Sequence, residues 1–261
     1  MRLRQICLVA ETLEPAASDL CDVLGLEVGF RDPGVGRYGL ENIVSPIGGD
    51  FMEIVAPVED GTSAGRHLAR RGDGGYMVIM HGPDAVAARD RFQALGVRAP
   101  HVIERDDYVA THFHPADTGG VMLSVDSTPG QPDVSERLCH WSPGGPAWRD
   151  HLRDDVSTNL VAVELASADA AKQAAQWAEG MELTVEQHGD LWRLPVRDGE
   201  IRILPKSADE HQGIRALDIR MADVDTALAR AKARNLRHGR SHSETGAPYV
   251  EICGVRFNLI S

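Results

Sequence analysis

Four times along the chain, a helix-like stretch ends at a glycine or asparagine, and a glycine-led, strand-like stretch follows at a set distance. The helix-like stretches are 14–24, 84–98, 168–183 and 223–236, with stops at Gly25, Gly96, Gly180 and Asn235. Glycine and asparagine tolerate the left-handed backbone in which helices often end, so the pattern predicts four helices. Strand-like segments precede them at 4–10, 76–80, 159–165 and 215–221, and glycine-led strands begin at Gly49, Gly120, Gly199 and Gly254. The interval from stop to leading glycine is 24 residues in both early copies, Gly25 to Gly49 and Gly96 to Gly120. In both late copies it is 19, Gly180 to Gly199 and Asn235 to Gly254. Intervals that agree within each half and differ between halves predict two modules, each made of two βαβββ units. The expected fold class is α+β, with curved mixed sheets around a cavity.

On this reading residues 1–127 form the first module, 128–155 a connection and 156–261 the second module. The connection is rich in Pro, Gly, Ser and charge, as linkers are, yet it holds Trp141 and Trp148, two of the four tryptophans. Large aromatics seldom sit in a bare linker, so part of it is expected to pack on a module.

Composition narrows the function. With 27 Lys+Arg against 39 Asp+Glu, the formal net charge is −12, the wrong sign for non-specific binding to a phosphate backbone. The apolar runs are shorter than the ~18–20 residues of a membrane span. The opening segment has two arginines but only a short apolar run and reads as a first strand, not a signal peptide. Cys7, Cys21, Cys139 and Cys253 are scattered without metal-type spacing. Reduced thiols, a cytoplasmic location and a small-molecule ligand are expected, with no nucleic-acid or membrane partner. A homodimer is compatible, because curved sheets expose edges.

The tandem βαβββ unit resembles the vicinal oxygen chelate superfamily, which includes glyoxalase I, methylmalonyl-CoA epimerase, extradiol dioxygenases and the fosfomycin- and bleomycin-resistance proteins. The segments at 36–57 and 111–126 carry the likeness best, and HPADTGGV from His114 is similar to the run before the last strand of methylmalonyl-CoA epimerases. The resemblance implies metal ligands on the first and last strand of each unit. Counting from helix stops and leading glycines places Gln5, Glu53, Tyr76 and Ser124 there in the first module. Leu160, Ile203, Arg215 and Asn258 take those places in the second. Gln5 and Glu53 suit a divalent metal, whereas Tyr76 and Ser124 do not, so the ligand set is incomplete. The second module offers none and reads as a degenerate copy.

The functional cavity is therefore expected in the first module, bounded by Gln5, Glu53, Tyr76, His112 and Ser124. Glu53 lies between Met52 and Ile54, and a carboxylate in such a strand is either a paired or catalytic group or a solvent-facing alternation. His112 and His114, two apart, share a strand face and serve either acid–base or metal chemistry or the turn before Gly119. In that turn the His-Pro-x-Asp order favours a backbone-bonding His114. His81 reads as a strand-end or capping residue. Arg66 belongs to a basic cluster with Arg70 and Arg71 that either binds a ligand anion or forms a solvated helix. His211, His238 and His242 read as surface residues, and Arg202, Arg215 and Arg220 either contact an anionic ligand or, as the preferred reading, bridge Asp218 and Glu200. Glu53, His112 and Tyr76 are the catalytic candidates, with Gln5, Ser124, His114 and Arg66 as substrate contacts. The activity expected is proton abstraction beside a carbonyl with enolate stabilisation, as in an isomerase, epimerase or lyase. The alternative is a small-molecule-binding or drug-sequestering protein of the same fold.

Overall fold

The computed structural model describes residues 1–131, 133–240 and 246–261. The first repeat runs β1 (Arg2–Val9), α1 (Leu13–Leu24), β2 (Leu40–Ile47) and β3 (Asp50–Pro57). A short 3₁₀ helix at Pro33–Tyr38 and an isolated bridge from Phe30 to Val44 stand where the other repeats have an extra strand. Pro33, Gly34 and Gly36 account for this, because proline lacks the ladder N–H and glycine disfavours extended pairing. After α2 (Ser63–Arg71), the second repeat is complete: β4 (Gly74–His81), α3 (Ala85–Ala94), β5 (His101–Arg105), β6 (Tyr108–His112) and β7 (Met122–Ser127). The third is β8 (Ser157–Ser167), α4 (Ala170–Met181), β9 (Glu186–His188), β10 (Leu191–Val196) and β11 (Gly199–Pro205). The fourth is β12 (Gly213–Met221), α5 (Val224–Ala233), β13 (His238–Arg240), β14 (Pro248–Ile252) and β15 (Val255–Ile260).

Local chemistry sets these boundaries. Asp84, Asp169 and Asp223 cap α3, α4 and α5 by accepting from backbone N–H groups of the first turn. Left-handed residues end the helices at Gly25 (φ 69°), Gly96 (φ 79°), Glu182 (φ 55°) and Asn235 (φ 56°). The third stop thus differs from the expected Gly180, which is helical. A methyl group on Gly180 would lie 2.4 Å from the Phe92 ring, so glycine is there for close approach rather than for termination. Two of the leading glycines complete two-residue hairpin turns with left-handed backbone, Gly48-Gly49 and Cys253-Gly254.

The strands form two mixed sheets. One has seven strands in the order β2-β3-β1-β4-β7-β6-β5, the other eight in the order β13-β14-β15-β12-β8-β11-β10-β9. First and last strands of a repeat run parallel, as β4 with β7, β8 with β11 and β12 with β15. The α+β arrangement of paired repeats is therefore present.

The chain groups into two compact units that each draw on both halves of the sequence. The first comprises residues 1–5, 76–142 and 162–215, the second 6–75, 143–161 and 216–261. Within the first, α3 packs on α4: Phe92 covers Gly180, Arg91 Nε donates to the Gly180 carbonyl at 3.0 Å, and Gln173 donates to the Thr118 carbonyl at 3.0 Å. Within the second, α1 packs on α5, with Arg234 held by Asp19 at 2.5 Å and Arg230 donating to the Asp22 carbonyl at 2.9 Å.

As expected, the connection packs. Trp141 and Trp148 are fully buried, the first in the first unit and the second against Phe51 of the second unit, edge-on at 5.0 Å. No helix among the described residues is long and apolar enough to cross a membrane.

Candidate active site

Strand register decides which of the expected residues share a surface. In the first unit Ile79 faces Ser124 and His81 faces Asp126 across β4 and β7, while His112 faces Ser124 and Ala110 faces Asp126 across β6 and β7. Partners in register share a face and neighbours along a strand alternate, so His81, Tyr108, Ala110, His112, Ser124 and Asp126 lie on one face. Phe113 belongs to the other face, where its ring lies 4.3 Å from Phe92 of α3. Tyr76 alternates onto that helix-covered face with Val78 and Met80. It is buried there and does not join Ser124, because a count from the helix stop names a residue but not its side.

The polar centre of this face is Asp126. It is fully buried, with Tyr108 Oη donating to one carboxyl oxygen and Ser124 Oγ to the other. Burial raises its pKa to about 7, although both hydroxyl donors oppose the rise. His81 is also fully buried, and neither ring nitrogen has a hydrogen-bond partner. Burial, then Arg4, Arg2 and the N-terminal amine, lower its pKa to about 3. Trp141 covers the group: its ring is 5.1 Å from His81 and, edge-on, 5.8 Å from Tyr108. Trp141 Nε1 donates to Gln5 Oε1 at 2.9 Å, so Gln5 positions the tryptophan. The His112 ring lies 4.9 Å from that of His101.

His114 stands in the turn, where Nδ1 accepts from the Ala116 N–H at 3.2 Å. The adjacent Arg98 clamps Asp117 through two hydrogen bonds of 2.7 and 2.8 Å.

In the second unit Glu53 lies on the face away from α1. Val44 faces Glu53 and Asn42 faces Val55, whereas Ser45 turns the other way to meet Cys21 of α1 at 3.6 Å. Glu53 is buried, and Asn42 Nδ2 donates to its Oε1 at 2.7 Å. The amide is fixed in turn, since Asn42 Oδ1 accepts from the Asp32 N–H at 2.8 Å. The Cys7 thiol stands beside Glu53 and is held well above the usual thiol range, first by burial and then by that carboxylate. Arg66 is exposed on α2 and folds back onto the Gly61 carbonyl at 2.6 Å and Ser63 Oγ at 2.8 Å.

Among the described residues no group of three or more His, Cys, Asp or Glu side chains is placed to hold a metal ion. Glu53 and its neighbour Cys7 are therefore joined by no third side chain of those types among the described residues, and the incomplete ligand set expected at Gln5 and Glu53 is not completed by one.

Of the arginines singled out in the second half, Arg202 and Arg215 are paired, and Arg220 is exposed. Arg215 binds Glu210 at 2.6 Å and Glu164 at 3.4 Å, and Arg202 binds Glu200 at 3.1 Å. Asp218 instead accepts from Asn258 Nδ2 at 2.8 Å. His211 and His238 are exposed, and His242 lies outside the described residues.

Comparison with known proteins agrees with this architecture. The glyoxalase-like domain family matches residues 6–181, well over half of the chain. The chain belongs to the glyoxalase-like domain family. A variant of 4-hydroxymandelate synthase from Streptomyces coelicolor superposes with a TM-score of 0.67 at 14% identity, covering 92% of this chain and 76% of that one. A hypothetical protein from Staphylococcus aureus gives 0.64 at 13%, covering 98% and 97%. Methylmalonyl-CoA epimerase from Streptomyces coelicolor, bound to 2-nitronate-propionyl-CoA, gives 0.45 at 18%, covering 51% of this chain and 98% of that one. None of the curated proteins matches in sequence. The glyoxalase-like chain is thus a two-module member of the vicinal oxygen chelate superfamily, as its repeats imply.

Asp126, Tyr108 and the pairing of His81 escape sequence reading. The signal for Asp126 is its place two residues after Ser124 on one strand. The signal for His81 is the β4–β7 register, which no local pattern encodes.

Proposed function

We propose that this glyoxalase-like protein is an enzyme that removes a proton beside the carbonyl of a small oxygenated molecule, with Glu53 as the base. The reaction is of the isomerase, epimerase or lyase type. What supports this is the way Glu53 is held: a buried carboxylate, on the face away from α1, with one oxygen oriented by an amide that is itself fixed. An oriented base needs little rearrangement to reach the transition state. The enolate that forms requires a hydrogen-bond donor, and the protonated Cys7 thiol stands beside the base.

The test is wash-in of solvent deuterium. Wild-type protein is incubated in D₂O with a panel of 2-oxo acids and acyl thioesters, and the C–H beside each carbonyl is followed by proton NMR. Glu53→Gln is expected to lower exchange at least ~100-fold with an unchanged Tm. Equal exchange in the variant would remove Glu53 from the mechanism.

A second reading, a non-catalytic binding protein, draws on Trp141 and Trp148, which shield the corresponding face of each unit with the chain's own connection. Saturable binding of a panel compound without deuterium wash-in would favour it.

A further inference from the structure

We infer that residues 143–153, the later part of the connection, form a strap over the Glu53 face of the second unit, latched at its end by Glu27, and that the strap lifts to admit a ligand. The inference rests on Glu53 as the base.

It begins with access. Glu53 is buried, and Phe51, two residues away on the same face, is fully buried. A base that takes a proton from carbon has to touch its substrate, so an element on that face has to move. The sheet itself is tied: β2 and β3 pair in register from Leu40 with Pro57 to Ile47 with Asp50. Helix α1 lies on the other face, where Cys21 meets Ser45. The strap lies on the Glu53 face. Trp148 stands edge-on to Phe51 at 5.0 Å and is itself buried. A methyl group on Gly144 would come within 2.5 Å of the Phe51 ring, and one on Gly145 within 2.5 Å of Phe30. Two consecutive glycines thus let the backbone rest directly on two aromatic rings.

The strap is built as a small unit of its own. The Asp150 N–H donates to the Ala147 carbonyl at 2.9 Å, and Arg153 Nη1 donates to the Leu152 and Asp150 carbonyls at 2.7 and 3.1 Å. Its end is fastened by charge. His151 Nδ1 donates to Glu27 Oε1 at 2.6 Å, and Arg153 pairs with Glu27 Oε2. All three side chains are half-exposed. Ion pairs in that setting are weak and yield to salt, so the latch can open without disturbing the sheet.

Two cysteines report on the two faces in the full-length protein. Cys7 stands beside Glu53, and Cys21 lies on the α1 side. The probe is methyl methanethiosulfonate at mildly alkaline pH, with modification of each cysteine followed by peptide mass spectrometry. Glu27→Gln is expected to speed Cys7 modification about fivefold. Gly144→Ala, which sets a methyl group against Phe51, is expected to speed it about tenfold or more. The Cys21 rate should stay the same in both variants. Added sodium chloride should speed Cys7 in wild type but not in Glu27→Gln. An unchanged Cys7 rate in Gly144→Ala overturns the strap, as does a rise of Cys7 and Cys21 in step, which signals general loosening. An unchanged Cys7 rate in Glu27→Gln alone overturns the latch. If Glu53→Gln leaves deuterium wash-in unaltered while Cys7 responds as expected, the strap stands as a gate over that face and only the base falls.

Discussion

His81 and Asp126 respond to pH in opposite senses. The folded protein holds a proton on Asp126 up to about 7, while the unfolded chain loses it near 3.8. Between those values the native state binds more protons, so this group's contribution to stability falls as pH rises. His81 titrates at about 3 when folded and 6.5 when unfolded. Between those values the unfolded state binds more protons, so its contribution is lost as pH falls. The two windows overlap from about pH 4 to 6.5, and each effect is on the order of 4 kcal/mol, so they largely cancel. Urea unfolding of His81→Phe should show stability rising as pH drops from 7 to 4. Asp126→Asn should show it falling as pH drops from 6.5. Parallel slopes in the two variants would contradict the assignment. Sequence reading reached Ser124 and His81 by name but not by role. Tyr76 and Ser124 look equivalent when counted from their landmarks, yet a shift of one residue puts them on opposite faces, and only strand pairing reveals that shift.

The repeated elements were legible because their punctuation is local: an aspartate cap, a left-handed stop and a hairpin glycine act within a few residues of themselves. The third stop misled for a tertiary reason. Gly180 is glycine because Phe92 occupies the space of its side chain, and the left-handed residue is Glu182. The equal 19-residue spacing of the late copies therefore rests on an anchor that is not the stop. Gly180→Ala is expected to cost about 1–3 kcal/mol by forcing the α3 and α4 faces apart, despite alanine's better helix propensity. Pairing it with Phe92→Leu should recover part of that loss in thermal melts. A stabilised single variant would show that the contact gives way easily. The region of α2 posed the reverse problem. Its composition allows either an anion site or a solvated helix, and no local pattern shows that Arg66 folds back onto its own turn.

At the scale of the whole molecule, the sheets follow the two halves of the sequence but the compact units do not. Spacing exposes strand–helix order and hence the sheets, whereas which helix packs on which depends on contacts between residues far apart in the chain, such as Arg91 with Gly180 and Asp19 with Arg234. A fragment of residues 1–127 would carry α1 without α5 and α3 without α4, leaving both helix faces uncovered. It is expected to lack a cooperative melt by circular dichroism, and a sharp transition near that of the full chain would show that the first half folds alone. The interleaving also has a consequence in time. Residues 6–75 share a unit with 216–261, so that unit cannot close until the last stretch has left the ribosome. At about 5–20 residues per second, the nascent first helix waits on the order of ten seconds or more for α5. The period most open to aggregation or chaperone capture then falls during synthesis, before α5 arrives to cover the nascent helix.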